Sequence, residues 1–224
     1  MSFLLTAALI AAAAKPHTAK PNDMRVSCTG DAKIEAKDKA GKGAASHLLR
    51  FDQKGQRIVT LPSGHVLIAK ADNDGQDELL LQESGRYRRL MKGTANIRYL
   101  SESPDEKWVA VVLVQGEAGF YALPQGALYM LDTAKWEGHE VAKNFGFSAI
   151  AWSPDSSRLA YGDFSKLRII DPVKGTPLES CVFDSQTTSD FDERLLSLGF
   201  LDAKTIRVTY ENLSRSSDYV VKLP

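Results

Sequence analysis

A unit of about fifty residues is written four times along this chain of 224 residues, and that repetition limits the fold more than any single residue does. Each copy runs apolar strand, Asp-centred turn, second strand, then a later strand and turn. The clearest copies are Ala149-Ile150-Ala151-Trp152-Ser153-Pro154-Asp155-Ser156-Ser157-Arg158-Leu159-Ala160-Tyr161 and Ser103-Pro104-Asp105-Glu106-Lys107-Trp108-Val109-Ala110-Val111-Val112. A period of about 40–50 residues holding several short strands predicts an all-β chain folded as a β-propeller. The repeat fixes architecture and leaves chemistry open, because propellers host binding, scaffolding and catalysis alike.

Aligned on the turn carboxylate, Asp52, Asp105, Asp155 and Asp202 are equivalent. Each follows an apolar approach: Leu48-Leu49-Arg50-Phe51, Ile97-Arg98-Tyr99-Leu100, Ile150-Ala151-Trp152 and Leu198-Gly199-Phe200-Leu201. Each precedes a β-rich run: residues 57–61, 108–114, 158–161 and 206–210. Pro presets φ in such turns and Asp accepts from the backbone ahead of it, so these are hairpins. The run 108–114 is apolar at every position, which suits a strand covered on both faces by neighbouring blades. A third strand recurs at Leu79-Leu80-Leu81, Leu128-Tyr129-Met130-Leu131, Leu167-Arg168-Ile169-Ile170 and Tyr219-Val220-Val221, and a more polar fourth follows the first three of these. The expectation is about four blades of four antiparallel strands.

The last copy reaches Pro224 straight after its third strand. The segment 25–36, with Val26, Cys28 and Ile34 apolar, is available to supply the missing outer strand and close the ring, with residues 37–46 as linker. Closure removes an exposed strand edge, which otherwise invites aggregation. Cys181 follows the outer strand of the third blade and Cys28 lies in the segment expected to complete the fourth, so a closing disulfide between them is a candidate.

Residues 3–14 are almost unbroken Leu, Ala and other apolar side chains, too few to span a bilayer and ending in small residues. They read as a signal peptide over residues 1–19, followed by a single propeller domain over 20–224, in a periplasmic or secreted protein. No Lys or Arg precedes the apolar run, so only the terminal amine supplies the positive end. No other segment is long enough for a membrane span. Lys and Arg number 28, as do Asp and Glu, so no long-range field gathers nucleic acid.

The stretch Trp152-Ser153-Pro154-Asp155-Ser156-Ser157-Arg158-Leu159-Ala160-Tyr161 resembles the signature of TolB-like, or WD40-like, propeller repeats, with Ser103-Pro104-Asp105-Glu106-Lys107-Trp108-Val109-Ala110 a looser match. Phe51-Asp52-Gln53-Lys54-Gly55 and Leu201-Asp202-Ala203-Lys204 are degenerate copies. The resemblance implies an exported propeller. Members of that family commonly carry six or more blades, whereas this chain has room for about four. A small closed ring and an open one that pairs with another chain both satisfy the repeat.

Three local patterns are candidate sites. In Asp72-Asn73-Asp74-Gly75-Gln76-Asp77-Glu78, alternating carboxylates around a Gly suit a hard cation, with Asp72, Asp74 and Glu78 as calcium ligands together with the Gln76 carbonyl. The pattern is similar to the calcium loops of FG-GAP adhesion propellers, although Lys70 stands where a first acid is expected. The loop 115–126 presents Phe120 and Tyr121 between glycines, a composition suited to recognition. The acidic connection 184–193 adds Asp190 and Asp192. No G-x-S-x-G elbow, P-loop or H-E-x-x-H is present, so a hydrolase would need a triad assembled from separate blades. The leading expectation is a non-catalytic module binding a protein or peptide partner in the cell envelope, with no cofactor. The alternatives are a calcium-stabilised adhesion-type propeller and a propeller hydrolase.

Overall fold

Strand follows strand throughout the computed structural model, which describes residues 25–29, 32–36, 49–50, 58–71, 77–92, 96–115, 125–184, 193–212 and 215–224. Three short strands come first: β1 (Arg25–Cys28), β2 (Lys33–Ala36) and β3 (Leu49–Arg50). Blade one is β4 (Ile58–Thr60), β5 (Val66–Ala71), β6 (Asp77–Glu83) and β7 (Arg86–Lys92), each paired antiparallel with the next. Blade two is β8 (Asn96–Glu102), β9 (Trp108–Gln115), β10 (Gln125–Asp132) and the first part of β11 (Glu137–Trp152). Strand β11 pairs with β10 up to Gly146 and with the next blade from Phe147, so one strand is both the outer edge of blade two and the inner edge of blade three.

Blade three continues with β12 (Leu159–Asp163), β13 (Lys166–Ile170) and β14 (Pro177–Asp184). Blade four is β15 (Glu193–Asp202), β16 (Thr205–Asn212) and β17 (Arg215–Lys222), with β2 as its outer strand. The fold is an all-β propeller.

Side-chain alternation builds the seams. Along β9, Val109, Val111 and Leu113 enter the core shared with blade one, while Ala110, Val112 and Val114 enter the core shared with blade three. All six are at most 4% exposed, so both faces of one strand hold neighbours together. Burying each Val or Leu contributes about 1.5–3 kcal/mol. A third core joins blades three and four through Leu167, Ile169, Phe183, Phe200, Ile206, Val208 and Tyr210. There the Phe183 ring stacks on Tyr210 at 5.8 Å and meets Tyr219 edge-on at 5.6 Å. Among the described residues, no core cluster joins blade four to blade one.

Blade one departs from the expected register. Leu49 and Arg50 do not pair with residues 57–61; they pair with Leu100 and Tyr99 of β8. The expected second strand is instead the first, β4, and its partner is β5, a strand the sequence reading passed over. The cause is a competing turn. Pro62-Ser63-Gly64 closes the β4–β5 hairpin with Gly64 at φ +88°, a conformation L side chains rarely adopt, while the motif-like Asp52 falls outside the described residues.

The N-terminal segment also divides. Lys33–Ala36 completes blade four, but Arg25–Cys28 adds to β14 as a fifth strand of blade three. Cys28 therefore sits on blade three and not on the outer strand of blade four. It stands directly opposite Cys181 in β14, to which it is joined by a disulfide. Thr29 extends the contact, since its amide and hydroxyl both reach the Ser180 carbonyl and its hydroxyl accepts the Ser180 amide. The two strands of the segment thus pair with two successive blades.

Candidate functional site

Successive antiparallel strands give the blades two faces with different chemistry. The first-to-second and third-to-fourth strand turns lie on one face, here called the turn face; Thr133 of a third-to-fourth turn bonds Glu106 and Lys107 of a first-to-second turn. The remaining connections leave from the opposite face, here called the loop face.

On the turn face the two Ser-Pro-Asp copies fold alike. The Ser103 hydroxyl donates to Asp105 Oδ1 at 2.7 Å and accepts the Trp108 amide at 3.0 Å; the Ser153 hydroxyl donates to Asp155 Oδ1 at 2.7 Å and accepts the Arg158 amide at 2.9 Å. Glu106 and Ser156 occupy the same left-handed position, at φ 60° and 59°. Two bonds also tie these turns together across the seam between blades two and three. The Asp105 amide donates to Ser156 Oγ at 3.0 Å, and the Trp152 indole N–H donates to the Ser101 carbonyl at 3.1 Å. Both links join positions 51 apart, which is the repeat made physical.

These bonds hold the turn carboxylates in their ionised form. Partial burial is the largest influence on Asp105 and works upward, but hydrogen bonds from Ser103, Lys107 and Ser156 outweigh it and leave its pKa below the ordinary value. For Asp155 the Ser153 hydroxyl is the main cause of a lowered pKa, and for Asp202 it is the Lys204 amide.

Between blades one and two the turn face carries a constellation that sequence reasoning missed. The Ser63 amide donates to Glu102 Oε2 at 2.9 Å, the Ser63 hydroxyl donates to Glu102 Oε1, and His65 Nδ1 lies 2.9 Å from the same hydroxyl. The His65 ring meets Trp136 edge-on at 5.1 Å. Serine, histidine and a buried carboxylate together invite comparison with a hydrolytic triad. The proton order differs, however. With Ser63 donating its one proton to Glu102, its oxygen is left to accept, and the contact with His65 Nδ1 then takes the tautomer protonated there, the reverse of a base toward serine. The group is a tether between blades, with the carboxylate satisfied by two donors. No sequence signal marks it, since the 39 residues between Ser63 and Glu102 do not match the 51-residue links of the next seam.

The loop face gathers the predicted binding segments. Strand ends Ala71 and Asp77, Gln115 and Gln125, and Asp184 and Glu193 all lie there. They flank the segments that carry Asp72 and Asp74, Phe120 and Tyr121, and Asp190 and Asp192. Those six residues themselves lie outside the described residues. Of the predicted calcium ligands, Glu78 is described: its carboxylate takes Arg89 at 3.1 Å on the sheet surface. Its neighbour Asp77 is buried and accepts the Ile97 amide at 2.8 Å, a seam contact between blades one and two. Asp163 repeats that role between blades two and three, accepting the Gly146 amide at 3.1 Å and Arg168 Nε at 2.9 Å. Among the described residues no group of three or more His, Cys, Asp or Glu side chains is placed to hold a metal.

No helix of the described residues is long and apolar enough to cross a membrane. No protein-family model matches the chain, and no curated protein matches it in sequence. Several solved structures show a partial likeness to it. The S511A mutant of puromycin hydrolase is 14% identical with a TM-score of 0.49, covering 79% of this chain and 30% of its own. The β-propeller domain of the Trilobed protease from Pyrococcus furiosus is 14% identical with a TM-score of 0.41, covering 78% and 57%. The C-terminal WD40 domain of Sif2 is 10% identical with a TM-score of 0.43, covering 79% and 51%. This chain thus spans less than two thirds of each of those chains. The strand order, the repeated turns and the apolar seams make it a β-propeller module.

Proposed function

We propose that this chain is an exported, non-catalytic propeller of the TolB-like or WD40-like kind that binds a protein or peptide of the cell envelope through its loop face. One observation carries the reading. The strand ends that flank Phe120 and Tyr121, and those that flank Asp190 and Asp192, lie on the same face, opposite the hydrogen-bonded turns. Aromatic and acidic groups carried on connections of one rigid scaffold are a composition suited to recognition. The disulfide supports export, because such bonds persist in oxidising compartments. A calcium site that used Glu78 would compete with Arg89 for its carboxylate, and a hydrolase built on Ser63 would need His65 as acceptor of its proton.

The test is a paired capture from the cell envelope with the mature chain and with Phe120→Ala/Tyr121→Ala. The reading expects a partner retained by the first and lost by the second, with unchanged melting temperature. A partner retained equally by both removes the loop face from the account.

A further inference from the structure

We infer that the outer edge of blade one is a second binding site, built to take an extended acidic peptide with one aliphatic anchor as an added strand. The proposal stands apart from the loop face and uses different residues.

The first observation is how the other blades treat their edges. The outer strand β14 is covered by β1, and β17 is covered by β2, so extended chain laid along a blade edge is already a structural habit of this molecule. Strand β7 ends its own sheet, in the order β4-β5-β6-β7, and no described strand pairs with its outer side. An edge of seven residues offers a row of backbone donors and acceptors to a partner strand.

The second observation is charge. Strand β7 reads Arg86-Tyr87-Arg88-Arg89-Leu90-Met91-Lys92, with four cations and no acid in a chain whose formal charge is zero. Arg86 through Arg89 are all exposed, and Tyr87 is 63% exposed. The acids that face these cations come from β6, on the inner side: Glu78 holds Arg89 at 3.1 Å, and Glu83 is the register partner of Arg86. Arg88 donates to the Lys135 carbonyl at 2.8 Å and so braces the strand against blade two. Four cations against Glu83, opposite Arg86, and Glu78, opposite Lys92, leave the strand with an excess of positive charge, which favours carboxylates on an incoming strand.

The third observation is a cleft of roughly 200 Å³ beside the same strand, with aliphatic side chains on its walls and Lys92 among its lining. Leu90 and Met91 of β7 face Leu113, Tyr129 and Leu131 across it, and Gly138 forms part of its wall. Leu90 has no register partner because β6 and β7 shift by one residue between Leu79 and Leu80, a bulge that turns Leu90 and Met91 together toward the cleft. A Cβ at 138 would come within 2.4 Å of Leu131 Cδ2, so the Leu131 side chain would have to shift to admit one. The cleft has room for one aliphatic side chain. Basic edge and cleft lie end to end along one strand.

A phage-displayed library of random heptapeptides, selected against the full chain, tests this. The expected winners carry at least two acidic residues and one aliphatic residue. Their synthetic forms should bind at least about tenfold more weakly to Arg86→Glu/Arg89→Glu and lose binding when alternate amides are N-methylated, because strand addition uses those N–H groups. They should bind Phe120→Ala/Tyr121→Ala normally, which separates this site from the loop face. Winners without acidic bias, or binding indifferent to the charge reversal or to N-methylation, would overturn the proposal. So would light scattering that shows a dimer abolished by Arg86→Glu/Arg89→Glu, since a second copy would then own the edge.

Discussion

The turn face and the loop face are made by the same strands, and they differ in where their seam bonds sit: the turn face makes them within short turns, whereas on the loop face the described seam carboxylates, Asp77 and Asp163, stand at strand ends. On the turn face Ser103, Asp105, Ser153, Asp155 and Ser156 are all consumed by the backbone or by the next blade. Ser63 and Glu102 do the same one blade earlier. The loop-face strand ends Gln115 and Gln125, and Asp184 and Glu193, flank the stretches of sequence that hold Phe120, Tyr121, Asp190 and Asp192. If the proposed loop-face binding holds, the groups that keep blades in register are separate from the groups offered to a partner, and substitutions should sort accordingly.

The largest effect is expected at Trp152, which is 6% exposed in the core of blades two and three and bonds the Ser101 carbonyl. Trp152→Ala should cost about 3–5 kcal/mol in denaturant unfolding. A cost below about 1 kcal/mol would mean that the seam is not what holds these blades.

Next comes the disulfide, which closes a separation of 153 residues. Cys28→Ser/Cys181→Ser should lower stability by about 2–5 kcal/mol, chiefly through the freer unfolded chain. An unchanged melting temperature would detach β1 from the account of closure.

Ser63→Ala removes the hydroxyl donor from a buried carboxylate and should cost about 1–3 kcal/mol. His65→Phe should cost less, because its Nδ1 serves only the serine oxygen in the tether. If His65→Phe proves the more damaging, the proton order assigned to this group is wrong.

The smallest effect is the acid response of the turns. The carboxyls of Asp105, Asp155 and Asp202 have lowered pKa values in the folded chain. The unfolded chain therefore binds protons first, and the contribution of these groups is complete above their ordinary value of about 4 and fades as pH falls through the lowered folded values. Melting temperature should drop below about pH 4, and Asp155→Asn should flatten that drop slightly. Calcium chelation at neutral pH gives a separate reading of Asp72, Asp74 and Glu78; a melting temperature lowered by chelator would restore them as ligands.

Much of this was legible from the chain because blades two and three keep the full motif. Ser-Pro-Asp writes its turn geometry into three adjacent residues, and residues 108–114 announce a strand covered on both sides. Blade one was misread because two turn signals compete within residues 51–65 and the apparent motif lies at the wrong one. The tether of Ser63 to Glu102 was invisible for another reason: it joins adjacent blades, and no local pattern distinguishes a serine that bridges a seam from one that faces solvent. The segment 25–36 was read as one strand, since nothing in a single sequence says that its two apolar pairs dock on different blades.

The contrast between the faces is tested most directly by site-specific photocrosslinking in the cell envelope, with the photoreactive residue placed once at Phe120 and once at exposed Lys107 in the turn of blade two. The account predicts a discrete adduct with a protein or peptide from position 120 and none from position 107. An adduct from 107 alone, or equal adducts from both, would contradict it.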